Sequence, residues 1–114
     1  MLDLSNNDLQ VYGTFMLCKS LQKNKTLKSL NLFKNLIDVD GCRAVRDLLK
    51  VKHNFEYLDL GHNRIRSKGL EAIAEGLNYH ADNSKLKTLA VRMNFLNDDA
   101  LKKFMKEIIF SKIC

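Results

Sequence analysis

Apolar residues and single asparagines recur along the chain at an interval of about 28 residues. Asn7, Asn35 and Asn63 follow one another at 28-residue steps, and Asn94 comes 31 residues later. Before each asparagine apolar and polar residues alternate, which predicts a short β-strand. After it, the residues 7, 10 and 14 positions on are apolar, except for Thr14 in the first unit, and form the stripe of an amphipathic helix. The pattern therefore predicts four strand–turn–helix units.

A single unit of this kind cannot bury both its strand face and its helix stripe. Stacked units can, because leucines of the strands and helices then fill the space between two layers. We predict an α/β solenoid with a parallel sheet on the concave side and helices on the convex side. The 114 residues form one domain, with repeats at about 1–26, 27–54, 55–85 and 86–114.

The recurring asparagines are predicted to be structural. Each stands where the chain leaves a strand and turns inward, so backbone groups there lose their sheet partners. An asparagine amide can both donate to and accept from such groups. We therefore expect a ladder of turns held by Asn7, Asn35, Asn63 and Asn94.

Four segments carry the repeated motif. They read LDLSNNDL, LKSLNLFKNLI, FEYLDLGHNRI and LKTLAVRMNFL. These segments resemble leucine-rich repeat proteins, and the 28-residue period with a full helix resembles the ribonuclease-inhibitor-like subfamily. The resemblance covers almost the whole chain and implies a horseshoe segment that binds another protein.

Composition and charge narrow the class of protein without identifying a function. Hydrophobic residues make up 46% and charged residues 28%, which is typical of globular domains. No apolar run reaches the length of a membrane span, and polar residues stand close behind Met1, at Asp3, Ser5, Asn6 and Asn7. Three cysteines are an odd number, which favours a reducing compartment. We expect a cytoplasmic location, with nucleus or cilium left open.

The outward positions of the strands are the candidate binding site. These positions do not contribute leucines to the core, so we expect the residue types found there to reflect partner binding. Large or charged groups there, with a dip at Gly61 between Phe33 and Arg92, are typical interface anchors. The predicted partner-binding residues are Phe33, Tyr57, Asp59, Arg92, Asn31, Arg64 and Phe95.

Catalytic and metal-binding chemistry is not predicted. His53, His62 and His80 have no ligand spacing to one another, and Cys18 and Cys42 fall on the inward helix stripe. The aspartates at 38 and 40 lack the remaining ligands of a calcium loop, so we expect them to cap the second helix. No enzyme activity, cofactor or metal is expected.

Three functions follow from these observations. The first is a non-catalytic module that binds a protein through the concave sheet. The second is a structural or scaffolding subunit of a cytoskeletal, ciliary or ribonucleoprotein assembly, suggested by an open first strand and a net charge of +6. The third comes from resemblance alone: Ran GTPase-activating protein shares the repeat subtype, although its acidic tail is absent here.

Lysines near the helix ends leave one further alternative open. These lysines complement helix dipoles, but they also suit a phosphate or nucleic-acid contact: Lys19, Lys23, Lys25, Lys28, Lys50 and Lys52. No pattern of stacking aromatics accompanies them.

The two ends and one insertion have two interpretations each. The first strand has no repeat before it, so either the chain is a fragment of a longer solenoid or a partner covers this edge. The last helix, with Asp98 or Asp99 as its cap and Ile109, Phe110 and Ile113 beyond its stripe, is either a capping helix or a docking tail. Three extra residues within 78–85 are either a tolerated rim insertion or a contact loop with Tyr79 and His80.

Overall fold

Strands and helices alternate through the part of the chain that the structure describes. The computed structural model describes residues 1–51, 53–79 and 86–109, without the side chains of residues 105 and 107–109. In chain order the elements are β1 (Leu2–Asp3), α1 (Gln10–Leu21), β2 (Ser29–Asn31), α2 (Val39–Lys50), β3 (Tyr57–Asp59), α3 (Arg66–Tyr79), β4 (Thr88–Ala90) and α4 (Asp98–Ile109).

The strands form one parallel sheet in the order β1-β2-β3-β4. Its register follows the sequence repeat, because Leu2 pairs with Leu30, Leu30 with Leu58, and Leu58 with Leu89. α1, α2 and α3 each connect two neighbouring strands, as a parallel arrangement requires, and α4 follows the last strand. The predicted α/β stack of four strand–turn–helix repeats is confirmed.

The core lies between the sheet and the helices. Inward strand leucines such as Leu30 and Leu58 are buried against the inward helix stripe, including Val45 and Ile73. Gly41 and Gly69 let each helix begin close to the preceding turn. A Cβ at Gly41 would lie 2.7 Å from Cγ2 of Ile37. This closeness explains why glycine recurs six residues after the asparagine.

The second and fourth helices have side-chain caps. Asp38 Oδ1 accepts from the Gly41 N–H at 3.0 Å, which confirms the predicted cap of α2. In α4 the cap is Asn97, whose Oδ1 accepts from the Ala100 N–H at 2.8 Å. The prediction of Asp98 or Asp99 as the cap is wrong, because both residues already lie in the first helical turn.

Part of the insertion belongs to a helix. α3 has 14 residues, whereas α1, α2 and α4 have 12 each. Asn78 and Tyr79 form its last positions, and Lys50 Nζ lies 5.4 Å from the centroid of the exposed Tyr79 ring. His80 and the rest of the predicted contact loop lie outside the described residues.

The predicted docking tail is also largely outside the described part. Phe110, Ile113 and Cys114 are not described, nor is the side chain of Ile109. None of the described helices is long and apolar enough to cross a membrane.

Candidate functional site

The asparagine side chains join neighbouring repeats at the ends of the strands. Asn63 Oδ1 accepts from the backbone N–H groups of Asn35 at 2.8 Å and Ile37 at 3.0 Å. Its Nδ2 donates to the carbonyl of Leu32 in the preceding repeat at 3.0 Å and to Leu60 in its own turn at 2.9 Å. Buried bonds of this kind hold adjacent turns at a fixed spacing, which positions the open face of the sheet.

Asn35 and Asn94 repeat this pattern. Asn35 Oδ1 accepts from the Asn7 N–H at 2.9 Å, and its Nδ2 donates to the Leu4 carbonyl at 2.8 Å. Asn94 Oδ1 accepts from the Asn63 N–H at 3.0 Å, and its Nδ2 donates to the Leu60 carbonyl at 2.8 Å. The side chains of Asn35, Asn63 and Asn94 therefore each form hydrogen bonds to the preceding repeat.

Polar residues of the strands stabilise the turns that follow them. Asp59 Oδ1 accepts from the Gly61 N–H at 2.8 Å, and Asn31 Oδ1 accepts from the Phe33 N–H at 3.0 Å. Asp3 accepts from the Ser5 N–H at 2.9 Å, and hydrogen bonding to the side chain and then to the backbone of Ser5 lowers the pKa of Asp3. Such local turns are a common use of aspartate and asparagine.

Asp59 is too buried to act as an exposed anchor. It is only 6% exposed, and its Oδ2 accepts from the Tyr57 hydroxyl at 3.2 Å. The expectation that outward strand positions lack a structural role is wrong for Asp59 and Asn31, because a short polar side chain there can reach the N–H two residues on. Asp59 and Asn31 support the surface rather than project from it.

Phe33, His62 and Arg92 meet on the open face of the sheet. The Arg92 guanidinium carbon lies 5.8 Å from the centroid of the half-buried Phe33 ring. The His62 ring meets the Phe33 ring edge to face at 5.6 Å. A Cβ at Gly61 would lie 3.0 Å from Phe33 Cδ2, so the ring occupies the space that the glycine leaves.

This arrangement alters the dip predicted at Gly61. The dip is covered by the Phe33 ring, so Phe33 and Arg92 are in contact instead of standing on either side of a gap. His62 was not predicted as a site residue. It stands in the turn, one residue before the asparagine, and not at an outward strand position. The residue at this place has a positive φ in all four repeats, 51° at His62.

Tyr57 completes the surface, which we call the Phe33 cluster: Phe33, Tyr57, Asp59, His62 and Arg92. Partial burial, followed by the charge of Asp59 and the hydrogen bond to it, raises the pKa of Tyr57, and Arg92 opposes this. The Tyr57 hydroxyl is therefore protonated at neutral pH and remains the donor to Asp59.

Arg64 and Phe95 lie apart from this cluster. Both follow an asparagine, in the turns between strand and helix. The exposed Phe95 ring has its centroid 5.9 Å from the Arg66 guanidinium carbon. Arg64 lines a shallow groove with Leu36 and Tyr12. The seven predicted residues therefore divide into five on the sheet face and two on the rim.

The two cysteines of the helices are buried thiols. Cys18 and Cys42 are free and buried, and burial raises the pKa of each thiol to about 12. Neither is a thiolate at neutral pH. Among residues 1–51, 53–79 and 86–109, no three His, Cys, Asp or Glu side chains are grouped so as to hold a metal ion.

Comparison with known proteins gives one family and several relatives. A family model described as Leucine Rich repeat matches residues 23–45 and 51–74. The chain is 31% identical over 94 residues, 79% of its length, to mouse NACHT, LRR and PYD domains-containing protein 4C. It is 35% identical over 77 residues, 67% of its length, to mouse ribonuclease inhibitor. These matches cover 10% and 17% of the two relatives, respectively.

A solved structure shows the same fold. Leiomodin-1 Actin-Binding Site 2 superposes with a TM-score of 0.83 at 21% sequence identity. The match covers 94% of this chain and 62% of that chain.

Proposed function

We propose that this chain, which is a leucine-rich repeat protein of the ribonuclease-inhibitor-like type, is a non-catalytic module that binds a partner protein through the open face of its sheet. Two similar proteins carry names that denote protein targets, a ribonuclease and actin. Repeat stacks of this kind present extended surfaces on a rigid scaffold, which suits protein recognition.

The contact between Phe33 and Arg92 carries the proposal. An aromatic ring and a guanidinium are the side chains that most often dominate binding energy at interfaces. Here the Phe33 ring is held before any partner arrives, because His62 flanks it and Gly61 lies beneath it, and the exposed Arg92 lies over the ring. Side chains that are already ordered lose less conformational entropy on binding.

The charges around Phe33 indicate the chemistry of the partner. Arg92 is exposed beside the ring and the exposed Lys34 follows Phe33 in the chain, whereas the Asp59 carboxylate is buried and hydrogen-bonded. A partner with a carboxylate beside an apolar side chain would satisfy both the guanidinium and the exposed edge of Phe33. We therefore propose an acidic, partly apolar contact segment on the partner.

The test combines partner capture with matched variants. A pull-down from native extract, read by mass spectrometry, gives the candidate partners. The purified partner is then titrated against wild type, a Phe33→Ser and Tyr57→Ser double variant, and a Phe95→Ser control on the rim. We expect at least tenfold weaker binding for the double variant only, with its circular dichroism melt close to wild type. Unchanged affinity would refute the sheet-face assignment.

The first asparagine motivates a proposal about the repeats. Asn7 Nδ2 donates to Leu4 and Ser5 in its own turn, whereas Asn35 also donates back to Leu4. The turn of the first repeat thus has the geometry of an interior turn, and a further repeat could stack beside β1. We propose that the repeats at about 1–26, 27–54, 55–85 and 86–114 are a segment of a longer solenoid.

A partner seated at that edge would instead make the chain a structural subunit of a larger assembly. The mass of the native protein in extract separates the two. A longer polypeptide supports the solenoid, and a 114-residue polypeptide in a large, salt-resistant complex supports the assembly. The free thiols of Cys18 and Cys42 support a reducing, cytoplasmic location in either case.

A further inference from the structure

The outer surface of α1 is apolar where the other helices are charged. Tyr12 is 76% exposed and Phe15 is 50% exposed, and Val11 and Met16 are exposed beside them. These residues lie within two turns on one side of the helix, so they form a continuous patch. A patch of several large apolar groups on a surface indicates contact with something other than water.

The position of α1 at the end of the stack does not explain the exposure of Tyr12 and Phe15. Their equivalents in α2, five and eight residues after the asparagine, are Asp40 and Arg43. α2 has a helix on each side, yet these two side chains are 63% and 54% exposed. Lys68 and Glu71, the equivalents in α3, are exposed too. A repeat stacked before α1 would therefore leave Tyr12 and Phe15 uncovered.

Met16 serves as an internal comparison. Its equivalents Ala44 and Ala72 are buried at 8% exposure, so that position does face a neighbouring repeat. The patch thus has two parts: Met16 faces the end of the stack, and Tyr12 and Phe15 face outward from the convex side.

The furrow between α1 and α2 differs from the other two furrows. Between α2 and α3, Glu75 bridges to Lys50 at 2.9 Å and to Arg46 at 3.8 Å. Between α3 and α4, Lys103 lies 3.6 Å from Glu71. No ion pair joins α1 to α2, and both helices lie wholly within the described residues. Their furrow is lined by Phe15, Cys18, Lys19, Gln22, Ala44 and Asp47.

The charged residues that α1 and the turn after it contribute near this furrow are all positive. Residues 9–28 contain four lysines, at 19, 23, 25 and 28, and no aspartate or glutamate. Lys19 Nζ lies 6.0 Å from the centroid of the Phe15 ring. Across the furrow Asp47 accepts from Arg46 Nε at 3.0 Å, so its charge is compensated on its own helix.

We propose that this convex furrow, lined by Phe15 and Lys19, together with the exposed Tyr12 ring one helical turn before Phe15, is a docking site for an acidic amphipathic helix of a partner protein. Apolar side chains of such a helix, spaced i, i+3 or i+4, and i+7, contact the Tyr12 and Phe15 rings. Its carboxylates face Lys19 and Lys23, which supplies both attraction and orientation. A second copy of this chain fits less well, because two lysine-flanked α1 helices repel each other.

This site is independent of the Phe33 cluster, since the sheet and the helices form opposite faces of the stack. A result that disproves one proposal therefore leaves the other unaffected.

The test selects ligands without assuming their sequence. A displayed library of helical peptides, with apolar positions fixed and the others drawn from Glu, Lys, Gln and Ala, is sorted on the full wild-type chain. It is then counter-sorted on a Tyr12→Ser and Phe15→Ser double variant. Selected peptides are titrated against wild type, the double variant, Lys19→Glu, and a Phe33→Ser control.

We expect the selected peptides to be net acidic and to lose at least tenfold in affinity on the double variant. Lys19→Glu weakens acidic peptides and Phe33→Ser leaves them unchanged. Because Tyr12, Phe15 and Lys19 are exposed, the variants keep the wild-type thermal midpoint, which circular dichroism checks.

Three results would overturn the proposal. The first is a selection that yields no peptide whose binding depends on Tyr12 and Phe15. The second is a selection dominated by basic peptides. The third is binding of the chain to phosphatidylserine vesicles without binding to any acidic peptide. The last result would identify the patch as a lipid contact.

Discussion

Arg92 and Phe33 are in contact although a whole repeat lies between their own. The guanidinium carbon of Arg92 lies 5.8 Å from the Phe33 ring centroid. Gly61, in the intervening repeat, makes this possible because its missing side chain leaves room for the ring. The arrangement places a cation and an aromatic ring together on the open face of the sheet.

Gly61→Val should separate this pair. A Cβ at this position lies 3.0 Å from Phe33 Cδ2 and 3.0 Å from Asp59 Oδ1, so the ring must move. We expect unfolding to become easier by about 1–2 kcal/mol, the usual cost of overpacking. Urea denaturation measures it. In a Phe33→Ser background most of the cost should disappear, and an equal cost in both backgrounds would contradict this account.

Asn63→Ala should destabilise the chain far more than Asn7→Ala. The Asn63 side chain has buried bonds to the preceding repeat and to its own turn, whereas the Asn7 side chain is exposed and bonds only within its own turn. We expect losses of about 3 kcal/mol and below about 1 kcal/mol respectively. The free energies of unfolding in urea give both values. Similar losses would show that the ladder does not strengthen toward the interior.

Stability should fall as the pH rises from about 9 to about 12. The folded-state pKa of the Cys18 and Cys42 thiols is raised to about 12, above the ordinary value of 9.0, because burial disfavours the thiolate. The unfolded chain therefore loses thiol protons first, and stability present below pH 9 is lost above it. At pH 10 the loss should be about 1 kcal/mol per thiol.

Thermal melts at pH 8 and pH 10 measure this loss, with a Cys18→Ala and Cys42→Ala double variant as the control. The variant starts from a lower midpoint because it leaves cavities, but its midpoint should depend less on pH. An equal pH dependence in both proteins would assign the effect to other groups, such as lysines.

Amides of residues 2–9 should exchange with solvent faster than those of residues 58–65. β1 has a neighbouring strand on one side in this chain, and Leu2 and Leu4 are only partly buried, whereas Leu58 and Leu60 are fully enclosed. Local opening therefore costs less free energy at the first repeat. Hydrogen exchange by mass spectrometry or NMR measures the difference. Equal protection in a demonstrated monomer would show that the edge is as stable as the interior.

The repeat architecture was predictable from the sequence. The spacing of Asn7, Asn35, Asn63 and Asn94 gave the number of units, and the leucines five residues before each asparagine gave the strand register. Such features are predictable because each repeat makes its contacts with its immediate neighbours. A local sequence period therefore specifies the whole stack. The cap of α2 was readable for the same reason, since Asp38 acts three residues away.

The make-up of the binding face was decided by the tertiary structure. Sequence selected Phe33 and Arg92 as separate anchors, but their contact spans three repeats and depends on the space above Gly61. It missed His62, which stands in a turn and not at an outward strand position, and it offered Asp59 as exposed although that carboxylate is buried in its own hydrogen bonds. A repeating pattern fixes where each backbone position stands. Which side chains meet across repeats depends on their sizes and hydrogen-bond partners, and these differ from one repeat to the next.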